Sequence, residues 1–96
     1  MGDKYGGTPA SYAAESGHAD CLVMLREAGV DLGVADRNGY TPAHYAAVNG
    51  HAECLVLLRE AGVDMGVAAN YGKTPAQVAT GFDQPECAAL LKGWGY

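Results

Sequence analysis

Residues 36–68, DRNGYTPAHYAAVNGHAECLVLLREAGVDMGVA, decide the fold, because residues 3–35, DKYGGTPASYAAESGHADCLVMLREAGVDLGVA, are nearly the same text placed 33 residues earlier. A third, degraded copy begins at Ala69, and Thr-Pro recurs at Thr8, Thr41 and Thr74. A period held that strictly marks a stack of repeats, in which each unit hides its apolar face against the next. About three units is the smallest number at which such burial works. Cooperative but modest stability is therefore expected of 96 residues arranged this way.

The second copy shows how one unit is built. Asp36-Arg37-Asn38-Gly39 has Asp first and Gly fourth, the pattern of a type I turn. Thr41 supplies an N-cap hydroxyl and Pro42 fits the first helical position, where its missing N–H costs nothing. The helix this starts runs through Asn49, and Gly50 suits the left-handed residue that ends it. A second helix is predicted from about Ala52, with Cys54, Leu57, Leu58 and Ala61 at i, i+3, i+4 and i+7 as its apolar stripe. Glu53 in its first turn and Arg59 in its last suit the helix dipole, and Gly62 is the stop.

The cysteines fall at one equivalent site per unit: Cys21, Cys54 and Cys87. Packed helices lie about 8–10 Å apart, whereas a disulfide needs Cα atoms within about 7 Å. Three reduced, buried thiols acting as small apolar groups are expected.

The pattern D-x-x-G-x-T-P-x-H-x-A-A-x-x-G-H-x-E, followed by a Leu-Leu helix and G-x-D, resembles the ankyrin repeat, and the resemblance covers essentially the whole chain. It implies an all-α solenoid of stacked helix-turn-helix units with β-turn loops, forming one domain over residues 1–96 with repeats at about 3–35, 36–68 and 69–96. It also implies protein binding on the concave side made by turn tips and first helices. Several positions depart from the family pattern. Ala10, Ala43 and Ala76 stand where the family has Leu, and Tyr12, Tyr45 and Val78 stand at its second Leu, so volume lost at one site is regained next door. Gly33 and Gly66 replace the Asn that the family hydroxylates, so that modification is not expected. The usual His is present only as His44, with Ser11 and Gln77 at the equivalent sites, so any bond from it to a neighbouring turn is not uniform along the stack. The third copy, with Asp83-Gln84-Pro85-Glu86 and Trp94, looks like a terminal cap whose large ring closes the end of the core.

Eleven acidic against six basic residues, net charge −5, argue against a nucleic-acid partner. No apolar run reaches the roughly 18 residues that span a bilayer, and Met1-Gly2-Asp3 opens no signal peptide. The expectation is a cytoplasmic or nuclear protein without cofactors. His18/Cys21 and His51/Cys54 have the spacing of H-x-x-C metal pairs, but the repeat explains both, with Cys facing the core and His bonding backbone across units. No exposed thiol sits with a base and an orienting group, and the glycines recur as turn and helix-stop residues instead of forming a phosphate loop. The chain is read as non-catalytic.

Positions dictated by stacking should match between copies, and positions it ignores are free to differ. Copies one and two differ at Lys4/Arg37, Tyr5/Asn38, Gly7/Tyr40, Ser11/His44, Glu15/Val48, Ser16/Asn49, Asp20/Glu53, Met24/Leu57 and Leu32/Met65. The first three pairs are turn tips. Each tip carries one cation and one tyrosine: Lys4 with Tyr5, Arg37 with Tyr40, Lys73 with Tyr71. Half of the six basic side chains thus form a positive strip on an acidic body, and Tyr and Arg are common interface anchors. The expected site is this strip, completed by Asn38, Asn70, Val48 and Asn49, and the expected partner is a protein segment with carboxylates beside an apolar group. Tips that are merely solvated are the plainer alternative. Val23, Val56 and Ala89 mark a second, weaker candidate: a shallow apolar stripe for self-association on an otherwise monomeric protein, or ordinary scattered surface residues. Two other origins fit the same text, a regulatory piece of a larger protein and an engineered or consensus-derived scaffold.

Overall fold

The computed structural model describes residues 8–96. Six helices follow in order: α1 (Pro9–Ser16), α2 (Ala19–Glu27), α3 (Pro42–Asn49), α4 (Ala52–Glu60), α5 (Pro75–Gly81) and α6 (Pro85–Gly93). They form three hairpins, α1/α2, α3/α4 and α5/α6, and the described residues contain no strand. The first helices make one row, α1 on α3 on α5, and the second helices another, α2 on α4 on α6. The stack of helix-turn-helix units expected from the period is what the chain forms.

Each first helix opens in the same way. Thr8, Thr41 and Thr74 are extended N-caps followed by proline. The residue three positions on returns a bond to the cap, Ser11 Oγ, His44 Nδ1 and Gln77 Oε1 each accepting from the threonine N–H. These are reciprocal capping boxes, and they leave few helix-start donors unpaired. Gly50 closes α3 in the left-handed region, φ 74°, as its sequence position requires.

The row of first helices is lined by alanine: Ala10, Ala14, Ala43, Ala46, Ala47 and Ala79 are each fully buried. Side chains this small let helices approach closely, and the bulk is supplied by the second row, where Leu22, Leu55, Leu58 and Leu91 are sealed from water. The stripe predicted for α4 is therefore displaced. Cys54 and Leu58 are buried as expected, but Leu55 joins them, while Leu57 and Ala61 are only half-buried. A second helix is flanked by its own first helix and by two neighbouring second helices, and Leu55 serves contacts that a single-face reading omits.

The thiols divide in the same way. Cys54 and Cys87 are buried and free, but Cys21 is exposed, which corrects the expectation of three buried thiols. Cys54 and Cys87 lie inside the stack, whereas nothing among the described residues covers Cys21. Burial, then the carboxylate of Glu53, then Cys87 push the Cys54 thiol up to about 11. Burial and Glu86 raise Cys87 in the same direction. Trp94 packs on the core as expected. It is half-buried, with the Arg59 guanidinium of repeat two 4.9 Å from its ring centre.

Candidate protein-binding surface

The turn tips project beside the row of first helices. In the second tip the Asp36 N–H donates to the Tyr40 carbonyl (2.9 Å) and the Gly39 N–H to the Asp36 carbonyl (3.0 Å). The third tip repeats both bonds, Ala69 to Lys73 (2.8 Å) and Gly72 to Ala69 (2.8 Å). Neighbouring tips are tied together: the Asn70 N–H donates to the Asn38 carbonyl (3.0 Å) and the Asn70 side-chain amide to the Arg37 carbonyl (2.9 Å). Gly39 has φ 77°, and a Cβ there would lie 2.7 Å from Asn70 Oδ1, so this close approach requires glycine.

The side chains behind the tips form a buried hub. His44 is wholly inside; its Nδ1 accepts from the Thr41 N–H (3.1 Å), and its Nε2 lies 2.8 Å from the Lys73 carbonyl in the next tip. Accepting at Nδ1 leaves the proton on Nε2, which therefore donates to that carbonyl. Burial holds the imidazole below its ordinary value of 6.5, against the opposing pull of the Lys73 carbonyl and the Asp36 carboxylate. Asp36 Oδ1 accepts from the N–H groups of Asn38 (2.9 Å) and Tyr40 (3.0 Å), while its Oδ2 accepts a short bond from the Tyr45 hydroxyl. The Tyr40 ring sits 4.9 Å from His44 and 5.5 Å from Tyr45, centre to centre.

The candidate residues consequently fall into groups. Lys4 and Tyr5 lie outside the described residues. Arg37, Asn38, Tyr71 and Lys73 are exposed on adjacent tips, Tyr71 at 88%. Tyr40 is half-buried and presents one edge from the aromatic cluster. Asn70 and Asn49 are exposed, but their amides are engaged in stacking, Asn49 donating to the Glu15 carbonyl at 3.0 Å. Val48 is half-buried, and its carbonyl accepts from the Gln84 amide (2.9 Å). His51 Nε2 reaches the Glu15 carbonyl (3.1 Å), the cross-unit backbone bond expected of it. Sequence reasoning missed the structural duties of Asp36 and Tyr45. The only signal was that Asp36 becomes Ala69 where Tyr45 becomes Val78, so the bonding pair disappears together.

Val23, Val56 and Ala89 lie along the outer helices, with Asp20, Glu53 and Glu60 lining the same shallow depression as the two valines. Among the described residues no group of three or more His, Cys, Asp or Glu side chains is placed to hold a metal ion. No described helix is long and apolar enough to cross a membrane.

Stacked hairpins with projecting, mutually bonded tips define a repeat solenoid of the kind that generally serves protein–protein interaction. A family model described as ankyrin repeats (3 copies) matches residues 10–95, and the chain belongs to the ankyrin-repeat family. A search of curated proteins finds no match to the sequence.

Proposed function

We propose that this chain is a non-catalytic recognition module whose tip strip, Arg37, Asn38, Tyr40, Tyr71 and Lys73 with Val48 and Asn49 behind it, binds a protein segment carrying carboxylates beside an apolar group. The carrying observation is Tyr71, 88% exposed on a tip whose backbone is fixed by bonds to the neighbouring tip. A large apolar ring held out in water on a rigid mount loses little entropy on binding, and cations on both tips favour an acidic neighbour. Lys4 and Tyr5 extend the strip by repeat equivalence, and the units at about 3–35, 36–68 and 69–96 act as one domain. The free thiols fit the reducing cytoplasm or nucleus.

Selection of peptides from a random displayed library tests this reading. Enriched peptides are expected to pair Asp or Glu with Leu or Phe and to bind the Tyr71→Ala/Lys73→Glu protein at least about tenfold more weakly, a loss of about 1.4 kcal/mol. Val23→Asp should leave binding unchanged. Selected peptides that bind the tip variant as well as wild type would rule the strip out.

A further inference from the structure

The outer surface of the second helices carries a ladder of its own. Asp20, Glu53 and Glu86 stand 33 residues apart, each exposed in the first turn of α2, α4 or α6. Three residues on, and so beside them on the same helix face, are Val23, Val56 and Ala89. Between α2 and α4 the side chains of Asp20, Glu53, Glu60, Val23 and Val56 frame a shallow depression of about 310 Å³. No Lys or Arg lines it. The Glu53 and Glu60 carboxylates have no hydrogen bond or ion pair among the described residues, and Asp20 accepts only from the adjacent Cys21 N–H (3.1 Å). The nearby cations are occupied elsewhere, Arg26 on the Glu60 carbonyl (3.2 Å) and Arg59 over the Trp94 ring.

The tips carry the converse chemistry, a cation and a tyrosine each: Arg37 with Tyr40, Lys73 with Tyr71. One stack of hairpins sets the interval on both surfaces. The tips lead into the first helices and the carboxylates open the second helices, so each ladder rises one rung per repeat, about 8–10 Å. Two cations one repeat apart can therefore meet two carboxylates one repeat apart with neither backbone adjusting. Tyr71, 88% exposed, then faces the valines between those carboxylates.

Like surfaces do not pair. Two depressions face to face would set carboxylate against carboxylate, and two tip strips would set cation against cation. The attractive pairing is tip strip on depression. The two surfaces share no residue, so the contact is heterologous, and a joined pair still offers one unused surface of each kind. We propose that the depression between α2 and α4 docks the tip strip of a second copy of this chain, Arg37 and Lys73 against Asp20 and Glu53 with Tyr71 between Val23 and Val56, so that copies add one to the next in an open row. The proposal rests on the tip strip being a recognition surface and names a partner for it.

Sedimentation of the full chain over about a hundredfold range of concentration tests it. The average mass should climb past that of a dimer. Raising sodium chloride above about 0.15 M should return it toward the monomer, because the ion pairs weaken while repulsion between bodies of net charge −5 is by then already screened. Tyr71→Ala/Lys73→Glu disables the tip and Glu53→Lys/Val56→Lys the depression; each alone should weaken association at least about tenfold. Their mixture should form a one-to-one complex that grows no further, since it holds one intact surface of each kind. Wild type that stays monomeric or stops at a dimer overturns the proposal, and so does a mixture that stays monomeric. All four substituted side chains are exposed. If circular dichroism nonetheless shows a variant unfolded, Lys73→Gln and Glu53→Gln taken singly replace it, and unchanged association in both equally overturns the proposal. Peptides selected on the tip, measured at dilution where copies are apart, report on the tip strip alone, whatever the depression carries. Peptide binding that needs Tyr71 and Lys73 beside a monomeric wild type would remove the second copy as partner and leave the recognition reading standing; peptides indifferent to the tip variant would remove both.

Discussion

The tips of repeats two and three share their backbone bonds and differ in almost everything else. In repeat two, Asp36 turns its carboxylate inward, gathers two N–H groups and the Tyr45 hydroxyl, and holds Tyr40 against the His44 hub. In repeat three the equivalent residue is Ala69, and Tyr71 stands out in water. The period of the fold requires only the two backbone bonds and a left-handed glycine, present in both tips as Gly39 and Gly72. Beyond that, side chains are free to brace a tip or to extend from it.

Removing the brace at its centre should have the largest effect. His44→Ala leaves the Thr41 N–H without its partner, takes one of two donors from the Lys73 carbonyl, which keeps the Ala69 N–H, and opens a cavity, so urea unfolding should show a loss of about 3 kcal/mol. Gln77→Ala, the matching change in repeat three, removes only a cap contact and should cost about 1 kcal/mol or less. Equal losses would show that the hub contributes nothing beyond its capping role. Asp36→Ala comes next, at about 2 kcal/mol, because two tip N–H groups and a hydroxyl lose their shared acceptor.

Acid should act on the same brace. The folded His44 sits below its ordinary value of 6.5, so between the two values the unfolded chain holds more protons and stability rises with pH. Lowering pH through 6.5 should therefore reduce the urea midpoint, with the decline levelling off beneath the folded value. A proton on Nδ1 would set its N–H against the Thr41 N–H, while Asp36 opposes the effect only in part. His44→Gln should flatten the decline, and an equally steep decline in that variant would assign it elsewhere. The smallest effect belongs to the exposed tip: Tyr71→Ala should change stability by no more than about 0.5 kcal/mol while weakening selected peptides. A clear loss of stability would show that the ring braces its tip after all.

Much of this architecture is legible in one copy of the repeat. Thr41-Pro42 starts a helix and Gly50 ends it for reasons contained within a few residues, and the 33-residue period supplies the stacking. What stays hidden depends on neighbours. Leu55 is buried because a second helix has flanking helices on either side, and Cys21 is exposed because nothing among the described residues covers it, although its own surroundings in sequence match those of Cys54. In the candidate site, the exposed cations and Tyr71 follow from divergence between copies. The engagement of Asn49 and Asn70 does not, because a side-chain amide reads the same whether it faces solvent or a carbonyl one repeat away.

The alanine seam carries a mechanical consequence. The main contacts of α1 run to α2 and α3 and those of α5 to α3 and α6, so among the described residues the outer hairpins are joined chiefly through the middle one. Drawn apart by its termini, such a chain yields one hairpin at a time, starting from whichever end is least covered, and its extension under load becomes a staircase in place of a single rupture.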